Sequence, residues 1–159
     1  MGATEYKERQ DLILLAEDDE NDVRLFQMAF ERAGLTNPLC VVRNGEECVS
    51  YLEGIGVYAD RDQYPLPCLL LLDLKMPGRD GFEVLSIIRA HPTLSRLRVV
   101  VLTVSHNIDD VNRAYDLGAN SFLVKTLDLR DFVEQLEGVR SHWLSMSRAP
   151  DTHRSPDRS

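Results

Sequence analysis

Four carboxylates, one hydroxyl and one ammonium stand where apolar runs end. Glu17, Asp18 and Asp19 follow Leu12-Ile13-Leu14-Leu15-Ala16, and Asp73 closes Cys68-Leu69-Leu70-Leu71-Leu72. Thr103 ends Val99-Val100-Val101-Leu102, and Lys125 follows Ser121-Phe122-Leu123-Val124. If these runs lie side by side, the six polar groups share one rim. Carboxylates brought together repel and raise one another's pKa, so the arrangement makes sense around a hard dication. Mg²⁺ takes oxygen ligands, keeps several waters, and is held by one or two carboxylates plus phosphate oxygens. Asp73 is then a candidate nucleophile of the aspartyl-phosphate kind. The metal and Lys125 would neutralise the charge spread over the phosphoryl oxygens, and Thr103 would donate a hydrogen bond to one of them.

The rim exists only if the runs are parallel strands, and the intervening sequence supports that. A helix from Glu20 carries Val23, Phe26, Met28, Ala29 and Phe30 and stops at Gly34. A second strand, 39–42, turns at Asn44-Gly45 into a short helix with Cys48, Val49 and Leu52. A long loop, 53–67, precedes the third strand, 68–73; loops of that length often carry function or partners. That strand has no polar alternation, as burial on both faces of a parallel sheet requires. Helices at 81–90, 108–117 and 129–147 alternate with strands at 99–103 and 121–124. Strict alternation with right-handed crossovers predicts an α/β fold. The expected form is a flavodoxin-like (βα)5 three-layer sandwich, with a five-stranded parallel sheet in the order 2-1-3-4-5. Ligands of such sheets bind outside the carboxyl ends of the strands, where the six polar groups fall.

Length and composition bound the rest. With 159 residues the chain reads as one domain over 11–147, flanked by a flexible N-terminus, 1–10, and a flexible tail, 148–159, rich in Ser, Pro, Arg and Asp. A net charge of −8 disfavours nucleic-acid binding. No apolar run approaches membrane-spanning length, and the polar start lacks an apolar signal region, so a cytoplasmic protein is expected. Cys40, Cys48 and Cys68 match no zinc or redox spacing and read as buried free thiols. The four histidines form no ligand cluster.

The segments Leu14-Leu15-Ala16-Glu17-Asp18-Asp19, Leu71-Leu72-Asp73-Leu74-Lys75-Met76-Pro77-Gly78-Arg79-Asp80-Gly81, Val101-Leu102-Thr103 and Phe122-Leu123-Val124-Lys125 resemble, in order and spacing, the motifs of receiver domains of bacterial two-component response regulators. The resemblance spans residues 11–140. It implies that Asp73 is the phosphoacceptor, that Asp18 binds Mg²⁺ directly and Glu17 through water, and that the Lys75 backbone carbonyl is a further metal ligand. Asp19 falls beyond the acidic pair and is expected to be solvated. Thr103 becomes the switch hydroxyl, Lys125 the phosphate partner and Phe122 the aromatic switch. The partner implied is a sensor histidine kinase, and the chain itself would be no enzyme. The 53–67 loop, the Asp73-Leu74-Lys75-Met76-Pro77 run and a last helix ending in Trp143 before Pro150 resemble the stand-alone regulators of bacterial and cyanobacterial phytochrome kinases. Other readings remain open: a degenerate receiver acting as an unphosphorylated binding module, or an aspartyl-nucleophile phosphatase. The phosphatase would want a second Asp where Lys75 stands. A nucleotide-binding module would want a glycine-rich first turn, which Glu17-Asp18-Asp19-Glu20-Asn21 is not.

The last helix aligns Leu129, Phe132, Val133, Leu136 and Val139 on one stripe. By Trp143 and Leu144 it has run about 20 Å, so those residues, with Met146, form a candidate homodimer interface together with Val111 and Tyr115 of the fourth helix. Two positions depart from the family pattern. Thr126 follows Lys125 where proline with a cis bond is usual. A cis bond to a non-proline residue costs about 2.5–4 kcal/mol, so a trans bond is expected, with the loop re-routed and Lys125 still reaching the site. Val104 stands where a small residue is usual, and its stiff β-branched side chain should crowd the entry to Asp73. Replacing Val104→Ala should therefore speed labelling by acetyl phosphate; an unchanged rate would remove the crowding argument.

Overall fold

The computed structural model describes residues 12–104 and 108–144, with backbone only for Trp143 and Leu144. Five strands, β1 (Ile13–Ala16), β2 (Leu39–Val42), β3 (Leu69–Asp73), β4 (Val99–Thr103) and β5 (Ser121–Val124), alternate with five helices. These are α1 (Glu20–Arg32), α2 (Gly45–Glu53), α3 (Gly81–Ala90), α4 (Ile108–Asp116) and α5 (Leu129–Val139). All strand pairs are parallel, in the order β2-β1-β3-β4-β5, so the expected fold is the observed one.

Successive strand side chains point to opposite faces, and here both faces are apolar. Ile13, Leu15, Leu69, Leu71, Val100, Leu102 and Leu123 pack with Phe26 and Phe30 of α1 and Phe132 and Leu136 of α5. Leu14, Ala16, Leu70, Leu72, Val99 and Val101 pack with Cys48 and Leu52 of α2, Val84, Leu85 and Ile88 of α3, and Ala114 of α4. Every residue of β1, β3 and β4 is buried. Four of the helices have a side-chain cap: Asp19, Asn44, Asp80 and Asp128 start α1, α2, α3 and α5. At the other end of α3, His91 turns extended before Pro92, as a residue preceding proline must.

Several expectations need correction. The 53–67 segment is not an open loop. It holds a 3-10 turn, Gly56–Tyr58, and Arg61 donates to the carbonyls of Tyr51 at 2.8 Å, Leu52 at 2.6 Å and Tyr64 at 3.1 Å. That guanidinium satisfies carbonyls the end of α2 leaves orphaned. The rings of Tyr51, Tyr58 and Tyr64 pack against one another, tilted or edge-to-face, with centroids 4.9 to 5.9 Å apart. Leu12 and Cys68 lie just outside β1 and β3, though buried and joined by a Cys68 N–H to Leu12 carbonyl bond of 2.8 Å. Helix α4 ends at Asp116 because Gly118 adopts φ 106°. Met28 is exposed, off the stripe of Val23, Phe26 and Phe30. Cys40 is half-buried, whereas Cys48 and Cys68 are buried; none of the three is in a disulfide, and burial pushes the Cys48 thiol up to about 12. The last helix is regular only to Val139 and continues as a π turn, Arg140–Leu144. There the Ser141 hydroxyl donates to the Glu137 carbonyl at 2.9 Å and competes with the helical ladder.

Candidate functional site

The sheet register assembles the site. Ala16 pairs with Leu72, so the next residues, Glu17 and Asp73, emerge side by side at the rim. Thr103 ends β4 opposite Val124, which brings Lys125 past the end of β5. By strand alternation Glu17, Asp73 and Lys125 continue the face covered by α1 and α5. Thr103 continues the opposite one. Glu17, Asp73 and Thr103 are the buried polar residues of the described chain, at 1%, 5% and 5% exposure.

Burying carboxylates without compensation is expensive, and one ammonium supplies most of the compensation. Lys125 Nζ contacts Glu17 Oε1, lies 3.1 Å from Asp73 Oδ2 and 3.2 Å from Asp22 Oδ2. Asp73 Oδ1 accepts the Lys75 N–H at 3.1 Å, and Glu17 Oε2 accepts the Asp18 N–H at 3.0 Å. Burial, reinforced by a hydrogen bond with Asp73, raises Glu17 to about 8 although Lys125 pulls the other way. Burial alone would lower the Lys125 ammonium; its hydrogen bond to Glu17 and the Asp73 charge outweigh that and hold it above the ordinary lysine value. The Lys125 direction expresses the negative charge gathered around a single cation, and the Glu17 direction expresses chiefly its burial.

Carboxylate oxygens of Glu17, Asp18 and Asp73 all lie within 4.8 Å of one another. This hard, anionic oxygen set could hold a divalent cation, with Asp18 exposed toward solvent and the other two buried. A cavity of about 650 Å³ opens over it, lined by these residues and by Lys75, Thr103, Val104, Arg113 and Lys125, among others. Asp19 is exposed, as expected, and is also the N-cap of α1, its Oδ1 accepting the Asn21 N–H at 2.8 Å. Val104 is 61% exposed at the cavity edge.

The expectation about Thr126 holds. No described peptide bond is cis, and Lys125 still reaches Asp73. The Lys125 N–H donates to the Thr103 carbonyl at 2.7 Å. The Gln135 amide binds both the N–H and the carbonyl of Val124, each at 2.9 Å. Thr126 Oγ1 accepts the Asp128 N–H at 3.1 Å, and Asp128 in turn caps α5.

Phe122 is half-buried on the α4 side of the sheet, with its ring edge-on to Tyr115 at 6.1 Å. Val111 is half-buried and Tyr115 exposed. The side chains of Trp143 and Leu144, and the whole of Met146, lie outside the described residues, as do the segments 1–10 and 148–159. Sequence reading missed Asp22 and Gln135. Asp22 was lost in the acidic start of a helix, and Gln135 looked like any polar helix residue.

The family model for the response regulator receiver domain matches residues 13–137. The response regulator Rcp1 of Synechocystis is 40% identical over 139 residues, which cover 87% of this chain and 92% of Rcp1. The crystal structure of the Mn²⁺-bound form of Rcp1 superposes with a TM-score of 0.76 at 39% identity, over 89% of this chain and 99% of that one. The phosphorylated cyanobacterial phytochrome response regulator RcpA superposes at 0.78 with 38% identity, over the same shares.

A pH dependence follows from Glu17. Its folded-state value, about 8, lies above its ordinary 4.5, so the folded protein binds the extra proton between those limits. The associated stability is fully present below about 4.5 and is lost as pH rises through about 8. In metal-free protein, Tm should fall across this window more steeply for wild type than for Glu17→Gln. Equal slopes would show that Glu17 does not retain the proton.

Proposed function

This chain belongs to the response regulator receiver family, and we propose that it accepts a phosphoryl group from a sensor histidine kinase on Asp73 in a Mg²⁺-dependent phosphorelay. The observation that carries the reading is the position of Asp73. It is buried at a strand end, within 4.8 Å of two further carboxylates and 3.1 Å from the Lys125 ammonium. An Asp73 oxygen attacks phosphorus, the bond to the phosphodonor breaks, and the leaving group departs with its electron pair. The Lys75 N–H on Oδ1 holds the carboxylate plane while Oδ2 faces Lys125.

Asp18 would hold Mg²⁺ directly, Glu17 through water and Lys75 through its backbone carbonyl. When bound, the ion supplies neutralisation of the phosphoryl oxygens. Lys125 supplies a further N–H to those oxygens and the Thr103 hydroxyl donates to another. Thr103 continues the face on which Phe122 packs against Tyr115, so a hydroxyl drawn toward the phosphoryl group vacates space that this aromatic pair can follow. The signal then leaves as an altered surface around α4 and β5, by protein contact rather than by catalysis on a further substrate.

The similarity to Rcp1 and to a phytochrome response regulator favours a phytochrome-type kinase as the donor. A cytoplasmic setting suits such a partner; no helix among the described residues is long and apolar enough to cross a membrane. The test is labelling by acetyl phosphate with Mg²⁺. Wild type should be labelled and Asp73→Asn should lose the label entirely; an unlabelled wild type would turn the reading to an unphosphorylated binding module. We also propose a homodimer through the last helix, with Val111 and Tyr115 at its margin. Sedimentation of Trp143→Ala should show a monomer, and an undisturbed dimer would exclude Trp143 from the interface.

A further inference from the structure

The ammonium of a lysine has three N–H donors, and Lys125 has three carboxylates around it. Two of them, Glu17 and Asp73, belong to the acidic cluster at the rim. The third, Asp22, comes from the first turn of α1 and stands 3.2 Å from Nζ. It is held there by its own N–H, which donates to the Asp19 cap at 3.2 Å. Asp22 is not part of the oxygen cluster able to share a cation.

We propose that Asp22 is a positioning residue for Lys125, one that occupies an N–H of the ammonium and holds it back from the phosphoryl group. This rests on Asp73 being the phosphoacceptor. Lys125 has no donor left over for a new oxygen, so engaging a phosphoryl group requires it to release a carboxylate. Glu17 and Asp73 belong to the oxygen set that would hold a divalent ion, and their commitment to it would leave Asp22 as the competitor. Asp22 is also the easier partner to release: its side chain is 35% exposed and that of Glu17 is 2% exposed. Water can take over the carboxylate that the ammonium leaves.

The surroundings allow the movement. A second cavity of about 100 Å³ borders Lys125, lined by Leu15, Leu25, Phe26, Leu102 and Phe132, with Glu17, Asp22 and Lys125 as its charged groups. Lys125 therefore borders unfilled space with a mostly apolar lining. The ammonium can swing between Asp22 and the rim without displacing the core.

The experiment is titration with beryllofluoride and Mg²⁺, a stand-in for the phosphoryl group, after wild type has been checked for labelling at Asp73. Removing one half-exposed competitor for a charged hydrogen bond should tighten beryllofluoride binding by about fivefold in Asp22→Asn. The phosphoryl lifetime should lengthen in the same variant, and Asp22→Glu should return both to wild-type values. Asp22→Ser serves if Asp22→Asn does not fold, with the same expected gain. A gain of function is not what a merely structural lesion produces. Unchanged or weaker binding in a folded variant overturns the proposal, and so does a gain that Asp22→Glu shares. Failure of wild type to label or to bind beryllofluoride sinks the reading of Asp73 instead.

Discussion

The Lys125 ammonium is the constraint from which the rest of the site follows. Two carboxylates, Glu17 and Asp73, are taken almost wholly out of water at the ends of adjacent strands. Each such burial costs several kcal/mol unless a counter-charge sits close by. Lys125 is that counter-charge, and it comes from the far edge strand, so β5 must lie beside β4, and β4 beside β3, for the ammonium to arrive. One cation against Glu17, Asp18 and Asp73 still leaves two negative charges. The raised value of Glu17 is the protein's own partial answer, and a dication is the full one. A site built to be incompletely neutralised is thereby built to gain from a metal and from the charge that the metal brings with it.

Strand alternation divides the labour at this rim. Glu17, Asp73 and Lys125 continue the face packed by α1 and α5, which is why Asp22 of α1 can reach the ammonium. Thr103 and Phe122 continue the other face, toward α4. Chemistry and response therefore lie on opposite sides of a sheet one residue thick. They meet at Thr103, whose backbone carbonyl is bound to the Lys125 N–H.

How much of this was legible in the sequence depends on where the information sits. The leucines before Asp73 and the valines before Thr103 announce buried parallel strands because strands covered on both faces read as short, near-continuous apolar runs rich in branched residues. Once the strand order is known, the rim residues are determined. Asp22 and Gln135 were not legible, because their roles need a partner from another element: Asp22 is a role only beside Lys125, 103 positions away, and Gln135 only beside Val124. The fold of the 53–67 segment was hidden for a similar reason. Gly54, Gly56, Pro65 and Pro67 read as irregular chain, whereas one guanidinium, Arg61, organises it by collecting three carbonyls.

Thr126 shows how a lost local constraint can be replaced by tertiary ones. Proline fixes its own φ and prepares its own turn, so it needs little help from neighbours. Threonine does neither, and β5 is an edge strand whose last backbone groups would face water. Gln135 presents a donor and an acceptor to Val124, as the next strand of a sheet would. The Thr126 hydroxyl and the Asp128 cap then fasten the loop to the start of α5. The direction of Lys125 is thus set by α5 instead of by an isomer of its own backbone. A change that shifts α5 against the sheet therefore acts on the Val124 backbone from which Lys125 departs, and so bears on the charge balance around Asp73.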